Sequence, residues 1–428
     1  MRVLDLTDRV AARFLERERG GGDADAARVA ARIVRDVRRG GDAALRRWTR
    51  RLDGAEAAAA SPRVSAGDLA LAAARANPAF RRQLLRAARN VRRVARRQLP
   101  AEWTVTVEPG VRVSQRVRPL ASVGCYVPGG RHPLVSTLVM TVIPAQVAGV
   151  RRIALACPRP SVELLAAAHA LGVSEVWRVG GAQAVAALAY GTATIPAVEK
   201  IVGPGNRFVA AAKRLVSGDV AIDMVAGPTE VLVLATRGDP RFIAADLVAQ
   251  AEHDPDATAL LVTTSRALAR RVAAVVERAL EELPGASPAR RALATRGAIL
   301  VAPTLEAAAA FARRYAPEHL SLPGAGGAAR DGRARERAIL DRLDVAGGVF
   351  LGPWSAQSLG DFATGSNHSL PTGGTARVRG GLSAADFVRC VSVQEVSRAG
   401  LRRLAPVVRA FAAAEGLPAH GRSVEVRL

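Results

Sequence analysis

The pattern of apolar and polar residues changes its period near residue 100. Before that point, long Ala/Arg/Leu stretches carry apolar residues at helical spacing. In residues 81–100 the arginines surround one apolar helix face, which is formed by Leu84, Leu85, Ala88, Val91 and Ala95. From Val105 the segment TVTVEPGVRVSQRVRPL alternates apolar and polar residues with period two, which predicts β-strands.

Beyond residue 120, short apolar runs alternate with helical stretches. Runs such as RRIALAC, SEVWRV and VEKIV are each followed by a tight turn and then by a helical segment. A second series starts at EVLVLAT and predicts helices from Phe242 to Glu252, from Ala267 to Leu283 and from Leu305 to Tyr315. This order is typical of parallel sheets with helices on both faces, so we predict an α/β protein with two such layers.

The charge balance is strongly basic. The 428 residues include 61 Lys and Arg against 38 Asp and Glu, a formal net charge of +23, which suggests a polyanionic partner. However, only Lys200 and Lys213 are lysines, and no aromatic residue is interleaved with the arginines of residues 81–98 to stack on bases. We therefore interpret these arginines as a solvated surface, which disfavours nucleic-acid binding.

Cysteine use and the start of the chain bear on its location. Cys125, Cys157 and Cys390 are an odd, scattered set that supports neither a disulfide framework nor a zinc knuckle, so we expect a reducing compartment. Charges recur every few residues in MRVLDLTDRVAARFLERERG, where a signal peptide needs an apolar run. No later stretch approaches the ~20 apolar residues of a membrane span. The sequence predicts a soluble, cytoplasmic protein.

Two polar segments offer ligands for a metal ion. In AADLVAQAEHDPDA, Gln250 and His253 are three residues apart, so on a helix they project from one face and can share an ion. The glycine-rich segment GPWSAQSLGDFATGSNHSLPTGG carries Asp361 and His368, an oxygen and a nitrogen donor suited to zinc. From these segments alone, a metal site and a merely polar helix end both remain open.

A third segment, RRYAPEHL, places a carboxylate beside an imidazole. Adjacent Glu318 and His319 suit acid/base catalysis. The ring of Pro317 biases Ala316 toward an extended backbone, so the helix is expected to end at Tyr315. On this fragment alone, a helix end followed by a polar turn is the simpler interpretation.

Taken in order, these segments match a known pattern. The motifs run from about Pro109 to the C-terminus and are GCYVPGG, VGGAQAVAALAYGT, KIVGPGN, AGPTEVLV, DLVAQAEHDPD, YAPEHL, GDFATGSNHSLPT and AEGLPAH. So many motifs in one order are specific, and the chain resembles the histidinol dehydrogenase family. The first hundred residues match only in general character.

The resemblance implies an enzyme that oxidises L-histidinol through L-histidinaldehyde to L-histidine with two NAD⁺ and one Zn²⁺ per subunit. It implies that Glu318 and His319 are the acid/base groups and that the metal ligands are Gln250, His253, Asp361 and His420. The implied substrate contacts are Thr229, Gln250, His253, His319, Asp361, His368, Glu415 and His420, and the implied cofactor contacts are Tyr126, Gln183 and Asn206. Thr229 stands where the family usually has serine, and it keeps the hydroxyl.

The resemblance also implies two incomplete Rossmann-like parallel-sheet domains, a helical N-terminal segment and a small C-terminal tail domain. The expected division is a helical arm over 1–20, a first α/β domain over 21–129 plus 230–377 with most metal ligands and both bases, a cofactor-side α/β domain over 130–229, and a tail over 378–428. The tail is expected to be swapped within a homodimer, so that Glu415 and His420 complete the neighbouring subunit's site.

The cofactor motif is incomplete, because the chain lacks a full GxGxxG sequence at a strand end. The turns in VGGAQ and VGPGN each follow a predicted strand and open a predicted helix. Backbone N–H groups at such a helix start can still face a phosphate group. The cofactor prediction therefore comes from the resemblance, and the two turns are compatible with it. That Gly129, Gly130 and Gly181 simply form tight turns stays open.

Two alternatives stay open. A related zinc- and NAD-dependent dehydrogenase of another small polar alcohol, such as a sulfonated diol, would share the same metal and base residues, although Glu415 favours an amine-bearing substrate. A metal-stabilised nucleic-acid binder without catalysis would suit the arginine content, but the intact PEH and QAEH segments disfavour it.

Overall fold

The computed structural model describes residues 1–16, 24–129, 134–323, 338–343 and 345–428. In these ranges the strands are β1 (Arg2–Asp5), β2 (Trp103–Glu108), β3 (Val111–Pro119), β4 (Ser122–Tyr126), β5 (Arg152–Ala156), β6 (Glu175–Trp177), β7 (Lys200–Val202), β8 (Ala221–Ile222), β9 (Glu230–Leu234), β10 (Thr258–Thr263), β11 (Ala298–Val301), β12 (His319–Leu322), β13 (Gly348–Leu351) and β14 (Val388–Val396). They form two parallel sheets and one antiparallel sheet.

The described ranges also contain α-helices, several of which cover the two parallel sheets. They are α1 (Asp8–Leu15), α2 (Ala24–Asp53), α3 (Ala55–Ala59), α4 (Ala66–Arg75), α5 (Pro78–Gln98), α6 (Val135–Ala148), α7 (Val162–Ala170), α8 (Gly181–Tyr190), α9 (Arg207–Val216), α10 (Pro240–Ala251), α11 (Arg266–Glu282), α12 (Pro288–Thr295), α13 (Leu305–Tyr315), α14 (Gln357–Phe362), α15 (Arg398–Ala414) and α16 (Pro418–Glu425). The three helices predicted after residue 240 are confirmed as α10, α11 and α13, and the α/β class is confirmed with them.

The six-stranded parallel sheet has the order β1-β11-β10-β9-β12-β13. Its central strands are apolar runs such as TALLVT in β10, buried throughout because helices cover both faces. From β9 the chain steps through β10 to β11 in one direction, and it later places β12 and β13 on the other side of β9. The strand order therefore reverses between β9 and β12.

The N-terminal arm differs from the helical segment that the sequence predicts. Residues Arg2 to Asp5 form β1, which pairs in parallel with β11 and extends the six-stranded sheet, and helix α1 follows. An edge strand such as β11 offers unpaired backbone groups, and β1 satisfies them. The end of the predicted arm, residues 17–20, lies outside the described residues.

The five-stranded parallel sheet has the order β6-β5-β4-β7-β8. The chain steps from β4 to β5 and β6, then returns to place β7 and β8 on the other side of β4. This second reversal lies between β4 and β7. In open α/β sheets, ligands bind at the carboxyl ends of the strands at such a reversal.

The third sheet is antiparallel and joins the tail to the middle of the chain. β3 pairs on one side with β2 and on the other with β14, from Val388 opposite Pro119 to Val396 opposite Val111. This confirms the strands predicted from the period-two pattern after Val105. Helices α15 and α16 follow β14 and pack on each other.

The packing of the N-terminal helices differs from the predicted division, which groups residues 21–129 with 230–377. Two buried clusters join residues of α2, α4 and α5 to the helices and strands of the five-stranded sheet. Strand β4 is the central strand of that sheet. We therefore propose that residues 24–98 and β4 belong with 134–229, and that the six-stranded sheet holds residues 230–377 together with β1.

In the described ranges, no helix is both long enough and apolar enough to cross a bilayer.

Candidate active site

The site lies at the amino-terminal ends of β9, β12 and β13. Glu318 immediately precedes β12, and His319 is its first residue, in register with Val231 of β9 and Gly348 of β13. Helix α10 follows β9 and runs back along the sheet, so that Gln250 near its end reaches the same edge. This placement is opposite to the usual one, because parallel sheets commonly bind ligands at their carboxyl edge.

Glu318 is held by a directed series of hydrogen bonds. Its Oε2 accepts from Thr229 Oγ1 at 2.6 Å and from the backbone N–H of Glu230 at 2.8 Å. Thr229 Oγ1 in turn accepts from Nε2 of Gln250, and the Gln250 Oε1 accepts from Nε2 of Gln357. Apart from the half-buried Thr229, these side chains are buried, so the carboxylate has a fixed orientation.

His319 is 3% exposed, and its ring orientation is set by the backbone. Nδ1 lies 3.0 Å from the carbonyl oxygen of Glu230, to which it donates, and 3.5 Å from Glu318 Oε2. Nε2 is buried, finds no hydrogen-bond partner among the described residues, and lies 3.8 Å from Asp361 Oδ1. The tautomer with a proton on Nδ1 therefore leaves a lone pair on Nε2.

The surroundings of His319 make it a stronger base than a free imidazole. Burial by itself lowers its pKa, but the carboxylates of Glu318 and Asp361 and the Glu230 carbonyl outweigh it and hold the pKa above its usual value. A raised pKa means that the ring binds a proton more tightly. His319 is thus equipped to accept a proton at Nε2.

His368 connects this edge to the other parallel sheet. Its Nδ1 donates to the carbonyl oxygen of Asp361 at 3.1 Å, and its Nε2 lies 3.3 Å from Oγ1 of Thr137, in the first turn of α6. Beside it, Asn367 Nδ2 donates to the Met140 carbonyl of α6 at 2.7 Å. Burial lowers the pKa of His368, so this ring stays neutral. The site is therefore at the junction of the two α/β layers.

The turn before Glu318 corrects the expected backbone of Ala316. Ala316 is not extended but left-handed, with φ of 51° and ψ of 65°. It ends α13 as a left-handed C-cap whose N–H donates to Ala312, and this capping outweighs the bias from Pro317. A non-glycine residue in this region is strained, and such strain clusters at functional sites.

The structure does not place His253 on the helix with Gln250. Helix α10 ends at Ala251, so His253 lies beyond the C-cap, where it is exposed, while Gln250 is completely buried. Because α10 ends two residues before His253, the helical i, i+3 spacing does not carry the pairing of Gln250 with His253, which stays a prediction.

Glu415 and His420 lie apart from the buried site. Both are exposed on the tail, where with Val407, Phe411 and Leu417 they line a shallow groove formed by α15 and α16. Phe411 is 63% exposed. In the described part of one chain, neither side chain makes a hydrogen bond or ion pair to the residues around His319.

The predicted cofactor residues gather at the carboxyl edge of the five-stranded sheet. Tyr126 ends β4, and its hydroxyl oxygen accepts from the N–H of Gly181 at 3.0 Å at the start of α8. Gln183, in the same turn of α8, is 1% exposed. Asn206 follows β7 and caps α9 by accepting from Phe208 and Val209. Both predicted turns thus follow a strand and open a helix.

Comparisons with known proteins identify the family to which the chain belongs. A family model described as histidinol dehydrogenase matches residues 17–428. A histidinol dehydrogenase of Geobacter metallireducens is 46% identical over 391 residues, which are 90% of this chain and 88% of the relative. One of Salmonella typhi is 43% identical over 390 residues, 90% of this chain and 87% of the relative.

A solved structure gives the same result. The crystal structure of histidinol dehydrogenase from Elizabethkingia anophelis has a TM-score of 0.92 and 34% identity, and the match covers 100% of this chain and 98% of that one. The chain belongs to the histidinol dehydrogenase family. It is therefore an oxidoreductase, and the resemblance seen in the sequence motifs is confirmed. The family model and these relatives give no support to the sulfonated-diol alternative.

A zinc ion of the kind implied by the histidinol dehydrogenase family fits part of the predicted ligand set. Over the described ranges, no group of three or more His, Cys, Asp or Glu side chains is placed to hold a metal within one chain. Yet Gln250 and Asp361 bring two buried oxygen donors to the network around the unpartnered Nε2 of His319. Oxygen and imidazole donors suit zinc, so the chemistry of these residues fits the ion. Two oxygen donors do not complete a zinc site, so additional ligands are needed.

Some residues of this histidinol dehydrogenase site are not among the predicted ones. Gln357 orients Gln250, Glu230 orients His319, and Thr137 contacts His368. Gln357 lies four residues before Asp361 in SAQSLGDF, a helical spacing that puts both on one face and is visible in the sequence. Thr137 has no such signal, because its partner is 231 residues away.

Proposed function

We propose that this chain oxidises L-histidinol through L-histidinaldehyde to L-histidine and transfers two hydrides to two NAD⁺. The observation that carries the proposal is the ring of His319, whose Nδ1 lies 3.5 Å from the fixed carboxylate of Glu318 and whose buried Nε2 has no hydrogen-bond partner among the described residues. Family membership supplies the reaction, and this residue pair supplies the bases that each oxidation step needs.

His319 acts in the alcohol step. Its Nδ1 proton is committed to the Glu230 carbonyl, so Nε2 takes the proton of the substrate hydroxyl while hydride leaves the same carbon for the nicotinamide. The loss of that proton and one hydride gives the aldehyde. The raised pKa of His319 favours this proton transfer.

Glu318 acts in the aldehyde step. Its Oε2 is occupied by Thr229 and the N–H of Glu230, which holds the carboxylate in one orientation. The carboxylate takes a proton from water as the water oxygen bonds to the aldehyde carbon. The product is the monoanion of the aldehyde hydrate, which then transfers the second hydride to a second NAD⁺ and becomes the carboxylic acid.

The proposed ligands of one Zn²⁺ per subunit are Gln250, His253, Asp361 and His420. When bound, the ion would hold the imidazole and amino nitrogens of histidinol and so orient its alcohol carbon. Further proposed substrate contacts are Thr229, His368 and Glu415, the last because a carboxylate suits the substrate's amine. Gln250 is already oriented for this task by Gln357.

We place NAD⁺ at the carboxyl edge of the five-stranded sheet, near the reversal between β4 and β7. Tyr126, Gln183 and Asn206 are the proposed contacts. No side chain caps the start of α8, and the Gly181 N–H donates to the Tyr126 hydroxyl. The N–H groups of Ala182 and Gln183 are therefore the ones proposed to face a phosphate.

A second copy of the chain is the proposed source of Glu415 and His420. Both belong to the site by resemblance, and both are exposed in a groove beside the apolar Phe411 and Val407. Exposed apolar surface of this kind marks a protein interface. A homodimer with exchanged tails would bury the groove and complete both sites. A cytoplasmic location stays a prediction from cysteine usage.

The test is NADH formation from L-histidinol by the purified protein, with and without a chelator. We expect two NADH per histidine formed, loss of activity with the chelator and recovery with zinc. One NADH per turnover with accumulated aldehyde would contradict the second step. Oxidation of a sulfonated diol in preference to L-histidinol would contradict the substrate.

A further inference from the structure

We infer that Asp53 selects NAD⁺ over NADP⁺ by accepting a hydrogen bond from the 2′-hydroxyl of the adenosine ribose. The inference rests on the proposed cofactor edge of the five-stranded sheet and deepens it. Asp53 is the last residue of α2, which packs on α8 and α9. It thus reaches the cofactor edge from an element outside the sheet.

The carboxylate of Asp53 lies at the first turn of α8. Its Oδ2 accepts from Nε2 of Gln183 at 3.1 Å. Two residues earlier in the chain, the N–H of Gly181 donates to the hydroxyl of Tyr126. Asp53 is therefore joined through Gln183 to the same helix start that faces Tyr126, where a phosphate is favoured.

Gln183 supplies the observation that points to a ligand. Because its Nε2 is committed to Asp53, the direction of its amide is set and its Oε1 points elsewhere. This Oε1 is buried without a hydrogen-bond partner in the described portion of the chain, and a Cβ built on Gly181 would lie 2.5 Å from it. A buried acceptor without a donor is unfavourable, and a bound polar ligand would satisfy it.

The charges around Asp53 favour a hydroxyl over a phosphate. Asp53 is half-buried, and its Oδ1 accepts no hydrogen bond from any described residue, so it has an acceptor to offer. Burial raises its pKa, while the nearby cation of Arg159 acts in the opposite direction. A carboxylate accepts from a ribose hydroxyl and repels a 2′-phosphate, whereas an uncompensated arginine attracts that phosphate.

The experiment compares Asp53→Asn with the wild-type protein. Asparagine keeps a carbonyl oxygen for Gln183 and removes the negative charge, which leaves Arg159 uncompensated. Glu56→Gln is the matched control, because it makes the same charge change at an exposed residue of α3 nearby. Dissociation constants for NAD⁺ and NADP⁺ are measured by titration calorimetry, and melting temperatures check that each variant is folded.

We expect wild-type protein to bind NAD⁺ more tightly, and Asp53→Asn to shift the ratio of the two constants toward NADP⁺ by about tenfold or more. Glu56→Gln should leave the ratio within about twofold, since exposed charges are screened. An unchanged ratio in folded Asp53→Asn, or an equal shift in Glu56→Gln, overturns the inference. Either outcome would overturn only the role of Asp53. The proposed function would remain supported as long as the wild-type protein reduces NAD⁺ with L-histidinol.

Discussion

The site residues of this chain fall into two groups that differ in burial. Gln250, Glu318, His319 and Asp361 are buried, and hydrogen bonds or close contacts within one chain link them. Glu415 and His420 are exposed on the tail helices. A buried polar group must find its partners inside the fold, whereas an exposed group is free to complete another molecule's site. This difference is the reason for our proposal that one chain preorganises the bases and a second chain supplies the remaining contacts.

The largest expected effect comes from His319 in the buried group. His319→Asn removes the acceptor at Nε2, and we expect turnover to fall by about 10²–10⁴-fold, the usual contribution of a general base. Zinc content and melting temperature should stay near those of wild-type protein, because His319 is not among the proposed ligands. Both are measured on the same preparation, by elemental analysis and by thermal unfolding. Loss of zinc in this variant would contradict the assigned role.

If the exposed Glu415 and His420 complete the site of the neighbouring subunit, two inactive variants should restore activity when their subunits are exchanged. Consider a heterodimer of His319→Asn with His420→Asn in which the tails are exchanged. One site then contains both changes, and the other site contains neither. Random reassociation of equal amounts should restore about a quarter of wild-type activity. The assay is NADH formation after subunit exchange, with the heterodimer verified by two affinity tags.

Two controls separate exchange from other causes of rescue. Mixing His319→Asn with Glu318→Gln should restore nothing, because both changes fall in the buried group and each core then carries a defect. Absence of activity in verified His319→Asn and His420→Asn heterodimers would mean that each tail serves its own chain.

The residues of the buried group were predicted from the family resemblance, because each short motif taken alone left a polar helix end or turn open. The PEH segment contains an acid/base pair of side chains, and the QAEH and GDF segments contain oxygen donors. The alternation of strands and helices predicts the sheets that hold these segments. The sequence alone does not show the hydrogen-bond directions. Which atom of Gln250 faces Thr229 depends on Gln357, and a contact over 107 residues has no local pattern.

Local backbone expectations differ from the structure in the N-terminal arm and at Ala316. Ala316 was expected to be extended, but it adopts a left-handed backbone as the C-cap of α13. The predicted helical arm begins as a strand, because β1 pairs with the edge of β11. His253 lies outside α10, which ends at Ala251. Of these, only the pairing of β1 with β11 depends on a partner far along the chain, which periodicity does not identify.

Thr229 tests how far the buried group depends on its hydrogen bonds. Thr229→Val removes the hydroxyl that donates to Glu318 and accepts from Gln250. We expect kcat to fall by about tenfold, in line with a lost hydrogen bond to a charged group. Thr229→Ser, the matched control, keeps the hydroxyl and should stay within about twofold of wild-type. Equal loss in both variants would indicate that the methyl group matters and the hydroxyl does not.

The smallest expected effect is a difference in reactivity between the buried thiols of the core and the exposed thiol of the antiparallel sheet. Burial raises the pKa of Cys125 to about 12 and that of Cys157 to about 11, whereas Cys390 is exposed on β14. The thiolate is the reactive form, so at about pH 8 Ellman's reagent should label one thiol per native chain and all three after denaturation. Cys390→Ser should remove the native labelling, and a second native thiol would contradict the burial of the core pair. Labelling of Cys390 that speeds up on dilution would place β14 at the contact between the two copies, because dissociation exposes what the dimer covers.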